Sequence, residues 1–539
     1  MVFQSGAVSL KQRTAYAADE NGETPSVSRN ASPGRPPRQK RIFAVLAALA
    51  GTVFGAKLIV ISAFGSPTPL VDQWDGEAAN LYAPYLNGAL SFADLLAPHN
   101  EHRIFFTRLL TLVHLELAGE WNTRLEMILC AIVHTALITW LAALLMPLVA
   151  PRRRMLLACF VAFLFAFPIG YENTLLGFNF HFYLTWLFGI AALVAFAAAR
   201  PFSWRWFGGL ATAVLSYLSL SAGVATILAA GVLVGLQLGT NVRKRRGREF
   251  AAVVVMASVA VVMILSEASI AKPMSTRWTF ILGLALLAAM TIAALVPTVW
   301  FARRTLAVRP AISDRAWVVI GIGGWIAAQL VLVAYGRGTH IAVRYMDIVL
   351  LAYPLGFVAV CGLVDGARTT RFRGYAAPAV VTWVFFVVAV FAIAGYASVL
   401  GSIAWSKSAH QQVTNIESYF ATGGVDQLKV RGEPGLKADL TYPNPQRLSG
   451  ILRDPAVRAI LPPEIRPADA DNAWARNRMW LKGSLAGATA TAVRLILGTG
   501  PILLALGVGL FFACAARVTF TAGAGDFPTG TRRLLALIN

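Results

Sequence analysis

Long apolar runs separated by short polar stretches make up most of the chain. A hydrocarbon core of about 30 Å is crossed by about 20 helical residues, and about twelve runs approach that length. They lie at residues 42–64, 125–150, 155–170, 180–199, 207–220, 223–240, 250–266, 278–301, 316–335, 346–364, 376–400 and 495–516. The pattern predicts an all-α integral membrane protein with about twelve transmembrane helices.

The polar segments outside these runs differ in composition. Residues 1–41 are rich in Ser, Pro and Arg and predict a disordered basic tail, and residues 517–539 form a second tail. The first run lacks a small-residue cleavage site after it and predicts a membrane helix, not a cleaved signal. Residues 104–118 are apolar but short and carry charges, which predicts an amphipathic helix in the outer interface. Residues 401–494 predict an outer segment or small cap before the last helix.

Composition supports a membrane protein and excludes a nucleic-acid-binding one. Of the 539 residues, 57% are hydrophobic and 14% are charged, whereas soluble proteins carry about 25% charged residues. The net charge of +21 would by itself suggest a nucleic-acid partner. A soluble chain this apolar could not keep its surface away from water, so we expect membrane lipids as partners and no nucleic acid.

Basic clusters predict the orientation, because cytoplasmic loops are enriched in Lys and Arg. With twelve helices, every second polar segment carries such a cluster, starting before the first helix. The clusters lie at residues 38–41, 152–154, 200–205, 243–248, 303–304, 368–373 and 532–533. Both termini are therefore predicted to be cytoplasmic.

The first outer loop holds three carboxylates within six residues, Asp72, Asp75 and Glu77. Carboxylates this close repel one another unless a metal, a cation or a proton intervenes. Such an environment is one way to tune a general base. The alternative is a solvated loop with ordinary charges.

The same outer loop later contains the string His99, Asn100, Glu101, His102 and Arg103. The two histidines, three residues apart, could share a helical face and bind a divalent metal (Mg or Mn) with Glu101 or Asp72. The pattern favours hydrogen bonding and charge pairing over a metal site, because two histidines and a carboxylate often occur together by chance.

Two further outer segments carry unusual polar residues. At the outer ends of the third and fourth helices lie Glu172, Asn173, Asn179 and His181. Polar groups at this depth face a cavity or a partner, and the alternative is an interfacial belt. Around the ninth and tenth helices lie Arg337, His340 and Arg344. Arginine suits a bidentate grip on phosphate; the alternatives are a lipid headgroup contact or an ion pair with Asp347.

Several common catalytic motifs are absent from the sequence. The chain contains no Walker loop, dinucleotide fingerprint or nucleophile elbow. Its four cysteines lie inside apolar runs and form no disulfide or metal pattern. No nucleotide cofactor is expected.

The outer-loop motifs, over residues 42–365, resemble the GT-C class of polytopic glycosyltransferases found among bacterial membrane proteins. The residues that carry the resemblance are Asp72-Gln73-Trp74-Asp75, the string 99–103, Tyr171-Glu172-Asn173 and Gly336-Arg337 with Arg344-Tyr345. The resemblance implies a hexosyl- or pentosyltransferase of the bacterial inner membrane, active at the periplasmic face in polysaccharide or lipopolysaccharide biosynthesis. It also implies a polyprenyl-phosphate sugar donor and a glycan or lipid acceptor.

In this class an Asp of the first outer loop acts as general base or binds the acceptor, and Asp72 and Asp75 both match that place. The chain departs from the class in lacking the larger soluble C-terminal domain that many members carry. We expect an inverting transfer in which Arg103, Arg337 and Arg344 stabilise the leaving phosphate. The other polar residues of these outer segments are expected to bind substrate.

A transporter or flippase of lipid-linked saccharide is the main alternative, since twelve helices are common in transporters. The sequence shows no clear internal repeat, and its polar residues cluster at one face instead of the midplane, which favours an enzyme. A non-catalytic partner in envelope assembly is a third possibility.

Overall fold

The computed structural model describes residues 37–100, 102–268, 275–367, 371, 373–429, 440 and 442–523. Nearly all of the predicted tail 1–41 and most of the tail 517–539 lie outside these residues. The fold is almost entirely helical, as predicted. The one described sheet is a hairpin of two strands with two residues each.

Residues 65–122, which the sequence predicts to be the first outer loop and which keep that name below, are more ordered than their polar sequence indicates. This loop follows α1 (Pro37–Phe64) and includes a π-helical segment, Trp74–Tyr82. The elements after it are α2 (Ala83–Leu86), α3 (Phe92–Leu96), β1 (Pro98–His99), β2 (His102–Arg103) and α4 (Phe105–Ala118). The predicted amphipathic segment 104–118 is therefore a helix.

The central part of the chain is a bundle of helices. Its members are α5 (Thr123–Leu145), α6 (Arg154–Ala166), α7 (Tyr171–Leu175), α8 (Phe180–Ala198), α9 (Trp204–Ser219), α10 (Val224–Gly239), α11 (Gly247–Ala268), α12 (Arg277–Val308), α13 (Ala316–Arg337) and α14 (Met346–Ala367). Large side chains fully buried between these helices, such as Trp317, Trp325 and Phe357, form the main core.

The last part of the chain begins with α15 (Arg373–Thr422), which at 50 residues is about 75 Å long. It continues well past residue 400, where the predicted span ends. The cap, which we define as α16 (Pro445–Arg453), α17 (Pro455–Ile460) and α18 (Asn472–Arg478), follows it. The chain then returns through α19 (Ala486–Gly498) and α20 (Gly500–Gly523). Short 3-10 turns lie at Met146–Leu148, Pro151–Arg153, Gly177–Asn179, Ser221–Gly223, Val343–Tyr345 and Val425–Leu428.

The cap packs on the first outer loop. The backbone N–H of Trp121 donates to the carbonyl of Ile460 at 2.7 Å, and Arg466 pairs with Glu120 at 2.6 Å. The Arg453 guanidinium donates to the hydroxyl of Tyr419 on α15 at 3.1 Å. A second apolar core, separate from the bundle, holds these elements together.

The predicted count of twelve membrane helices is not confirmed. Within the described residues, nine helices are long and apolar enough to cross a membrane, and the pair α19 and α20, bent by 45°, makes up to ten. The difference lies at the predicted runs 155–170 and 207–220. There α6 has 13 residues and α9 has 16, so both are shorter than a typical membrane helix.

Helix α6 is short because a proline follows it. The chain from Arg153 to Asn173, which contains α6, nevertheless runs along the length of α14. Pro168 disfavours a helical conformation at Phe167, which is extended with ψ 143°. At one end Arg153 donates to the carbonyl of Cys361 at 3.3 Å. At the other end Asn173 donates to Asp347 at 3.0 Å. These contacts lie at opposite ends of α14.

Helix α9 likewise lies along α8. The Ser216 hydroxyl donates to the carbonyl of Thr185 at 2.9 Å, and Arg205 donates to the carbonyl of Val194 at 2.7 Å. The higher residue number on α9 meets the lower one on α8, so the two helices are antiparallel. Both short helices therefore lie side by side with helices of membrane-crossing length.

The bundle has two ends of different character. At one end lie arginines of the predicted basic clusters, and among them Arg304 of α12 donates to the carbonyl of Gly362 of α14 at 3.0 Å. At the opposite end lie the first outer loop, the hairpin β1–β2 and the cap. The polar segments singled out in the sequence meet at this second end.

Candidate functional site

Glu77 of the first outer loop is enclosed by hydrogen-bond donors. Its carboxylate accepts from Gln73 at 3.0 Å, from Trp121 at 3.1 Å and from Thr111 at 3.3 Å. Burial raises the pKa of Glu77 to about 8. Gln73 also donates to Glu126 of α5 at 3.0 Å, so one amide joins two buried carboxylates. Glu77 thereby holds the π-helical segment against α4 and α5.

Asp75 and Asp72 lie in different environments. The Asp75 carboxylate accepts from the Arg447 guanidinium, with Nε and Nη2 each at 2.5 Å, and from the Tyr442 hydroxyl. Burial and the neighbouring Asp75 raise the pKa of Tyr442 to about 12. Asp72 is exposed, and its carboxylate has no hydrogen-bond partner among the described residues. The cap therefore binds Asp75 and leaves Asp72 open.

His99 and His102 face the same side of a hairpin instead of a helix. They are directly paired across β1 and β2, and opposite residues of an antiparallel pair share a face. Asn100 turns the chain with φ 51°, because asparagine tolerates the left-handed region. Glu101 lies outside the described residues. The interpretation that His99 and His102 share a face of a helix is therefore wrong, because they lie on two strands.

The hairpin contacts the π-helical segment through His99. The His99 ring lies edge-on to Phe178, with 5.4 Å between centroids. Gly76 of the π-helical segment lies against both rings, and a methyl group there would come within 2.8 Å of the Phe178 ring. Only glycine allows this close approach.

Arg103 joins the hairpin to two bundle helices. Its backbone N–H donates to the Ser221 hydroxyl at 3.3 Å. Its guanidinium lies 3.5 Å from Glu267 at the end of α11, and Tyr217 donates to the same carboxylate oxygen at 2.8 Å. Sequence reasoning missed Glu267, although an acidic residue directly after the apolar run 250–266 is itself unusual.

A cavity of about 450 Å³ lies beside the hairpin, between α8, α10, α11, α13 and α14. Its walls are mainly aromatic and aliphatic, with a few polar groups. The polar groups are His102, Ser221, Glu267, Gln329, Arg337 and the Tyr345 hydroxyl. Arg337 donates to that hydroxyl at 3.1 Å. Size and lining are those of a small-molecule site.

The segment 172–181 lies next to this cavity. Arg344 lies 3.7 Å from Glu172, and this contact differs from the ion pair with Asp347 considered from the sequence. Asn179 donates to the Glu172 carbonyl at 3.4 Å. The buried His181 ring pairs through Nδ1 with the Phe178 carbonyl at 2.9 Å. These residues therefore brace the turn after α7.

A buried polar cluster lies beneath that turn, and sequence reasoning named two of its members, Asn173 and Asp347, without bringing them together. Asp347 accepts from the Tyr183 hydroxyl at 2.7 Å and from Asn173 at 3.0 Å. Lys57 of α1 donates to Thr174 at 3.1 Å. The signal was present, since Lys57 and Asp347 are charges inside predicted membrane helices.

His340 lies apart from the other site residues. It is exposed, and its side chain has no hydrogen-bond partner within the described ranges. The same ranges contain no group of three or more His, Cys, Asp or Glu residues that could hold a metal. The metal site considered for the hairpin includes Glu101, which is not described.

No protein-family model, no curated protein and no solved structure matches this chain.

Proposed function

We propose that the protein is a membrane glycosyltransferase. It moves a sugar from a polyprenyl-phosphate donor to a cell-envelope glycan or lipid acceptor at the periplasmic face of the bacterial inner membrane. The observation that carries the proposal is the cavity. It lies at the end of the bundle opposite the basic loops, and it combines apolar walls with a cationic residue, Arg337.

In this proposal the arginines around Tyr345 bind the phosphate of the donor. Arg337 donates to the Tyr345 hydroxyl, and the Arg344 guanidinium lies 5.7 Å from the Tyr345 ring centroid. Charge-assisted hydrogen bonds from guanidinium to phosphate oxygens stabilise a leaving group that gains negative charge. Arg103 is the third cation near the cavity. His340 belongs to the same proposal but is more exposed.

Asp72 is the better candidate for the general base. Asp75 already accepts from Arg447 and Tyr442, whereas Asp72 has no partner among the described residues. In the proposed step the acceptor hydroxyl gives its proton to the Asp72 carboxylate, and its oxygen bonds to the anomeric carbon. The bond from that carbon to the phosphate oxygen breaks, and its electron pair leaves with the phosphate. Direct displacement inverts the anomeric centre.

Twelve membrane crossings with cytoplasmic termini are part of the proposal. The alignment of α6 with α14 and of α9 with α8 supports short crossings at these two places. The segregation of basic loops to one end of the bundle supports the orientation.

The test uses purified protein in proteoliposomes supplied with labelled polyprenyl-phosphate sugars and an envelope extract as acceptor. Wild type is expected to transfer label, and the Asp72→Asn variant to lose transfer by about 100-fold or more. The Asp75→Asn variant is expected to retain most of it, which makes it the matched control. Transfer at the wild-type rate by Asp72→Asn would remove Asp72 as the base.

The alternative function, a flippase, has its own outcome in the same system. A flippase would move labelled lipid between leaflets without bond cleavage. Lipid movement without any transfer product would overturn the proposal.

A further inference from the structure

The cavity contains a carboxylate oxygen that lacks a hydrogen-bond donor. Oε1 of Glu267 accepts from Tyr217 at 2.8 Å and lies 3.5 Å from the Arg103 guanidinium. Oε2 has almost no exposed surface, and no hydrogen-bond partner for it lies in the described part of the chain. Leaving a buried acceptor without a donor is costly, so this oxygen is placed for a ligand.

Gln329 offers a second acceptor on the cavity wall. Its amide nitrogen donates to the carbonyl of Ala222 at 2.9 Å, which fixes the orientation of the amide. Its amide oxygen accepts no hydrogen bond from a described residue. Glu267 and Gln329 line the same cavity. A ligand that satisfies both must present more than one hydrogen-bond donor.

The remaining walls restrict the ligand further. Trp186, Phe182 and Tyr345 place aromatic rings in the cavity, and Arg337 places a cation at its polar side. A ligand with several hydroxyl donors and an apolar C–H face suits acceptors beside aromatic rings. A pyranose or furanose ring has this combination, whereas an isoprenoid chain has no donor.

We propose that the cavity holds the sugar ring of the donor, with Glu267 and Gln329 accepting hydrogen bonds from its hydroxyls. The phosphate then lies toward Arg337. Ile264 and Tyr335 line the cavity and are also 45% and 51% exposed, so the lipid chain leaves between α11 and α13. This inference rests on the proposed function and adds to it a sugar-binding residue.

Glu267→Gln tests the proposal because the groups next to Oε1 determine how the new side-chain amide is oriented. Tyr217 donates to Oε1 and the Arg103 guanidinium lies 3.5 Å from it, so the new amide oxygen turns toward these two groups. The NH2 group then replaces Oε2, and the acceptor becomes a donor. The matched control is Glu249→Gln, on the same helix but at its other end, where Glu249 lies 3.4 Å from Arg243.

The experiment measures binding to purified protein in nanodiscs. The probes are geranyl phosphate and geranyl phosphates bearing glucose, mannose, galactose or arabinose. Wild type and Glu249→Gln are expected to bind at least one sugar-bearing probe more tightly than geranyl phosphate. Glu267→Gln is expected to lose about 10- to 100-fold in affinity for that probe and to bind geranyl phosphate as wild type does.

Each other outcome identifies which claim fails. If no sugar improves binding to wild type, the cavity does not hold the sugar. If Glu267→Gln keeps the sugar preference, Glu267 is not the acceptor. If wild type does not bind geranyl phosphate, the proposed donor class falls, and the proposed function with it. Unaltered geranyl phosphate binding shows that the variant is folded, and Gln329→Met provides a second variant with the same expected loss.

Discussion

Replacing Glu77 by Gln is expected to remove a pH dependence from the stability of the first outer loop. Glu77 is 1% exposed, and its three donors come from the residue directly before the π-helical segment, from α4 and from the turn before α5. Burial raises its pKa from 4.5 to about 8. Because the folded-state pKa lies above the unfolded one, the protonated form of Glu77 favours folding.

The magnitude follows from the shift. At about 1.4 kcal/mol per pKa unit, the raised pKa corresponds to at most about 5 kcal/mol. This stabilisation is fully present below pH 4.5 and is lost as the pH rises to about 8. Gln is neutral throughout and nearly isosteric, so Glu77→Gln is expected to be more stable than wild type at pH 8 and similar to it at pH 5.

The assay is denaturant unfolding in detergent at pH 5, 6.5 and 8, followed by tryptophan fluorescence, to which Trp74 and Trp121 of this region contribute. Asp72→Asn is the control, because Asp72 is exposed in the same loop. If Glu77→Gln loses as much stability as wild type between pH 5 and pH 8, the pH dependence does not come from Glu77 and the reasoning is refuted.

Four further substitutions test the packing around the site. Lys57→Met and Asp347→Asn are each expected to cost about 1–3 kcal/mol, because each removes a buried hydrogen-bond partner, Lys57 from Thr174 and Asp347 from Tyr183 and Asn173. The double variant is expected to cost less than their sum in a double-mutant cycle, and strict additivity would exclude a coupling. Gly76→Ala is expected to cost about 1–3 kcal/mol in thermal unfolding, because its methyl group meets the Phe178 ring; a neutral effect would contradict the close approach. Arg447→Ala is expected to cost only about 0.5–1 kcal/mol, because the side chain is 52% exposed. It is also expected to speed hydrogen exchange in α16, and unchanged exchange would show that the ion pair does not hold the cap.

The sequence predicted the helical class and most membrane helices, because long apolar runs have few other stable conformations. At two of the predicted membrane helices, 155–170 and 207–220, the helices that form are shorter than a typical membrane helix. Pro168 ends α6 early, and α9 ends before the extended Leu220. Hydropathy averaged over a window does not register such local backbone breaks.

The sequence also predicted that the polar outer segments lie at one end of the bundle, since every second loop of a helical bundle lies at the same end. It could not find the partners of each residue. Asp75 and Arg447 are 372 residues apart, and no local pattern links them. Glu267 and Gln329 are single polar residues at or near the outer ends of apolar helices, and only packing places them in one cavity.

Sugar transfer itself is tested most directly by measuring polyprenyl-phosphate-linked sugars in cells that lack this protein. Mass spectrometry of their lipids is expected to show one such donor accumulating. Wild-type protein is expected to return it to the normal level, and Asp72→Asn, inserted in the membrane at equal amounts, is expected to leave it accumulated. An unchanged set of lipid-linked sugars in the deletion strain would contradict the account.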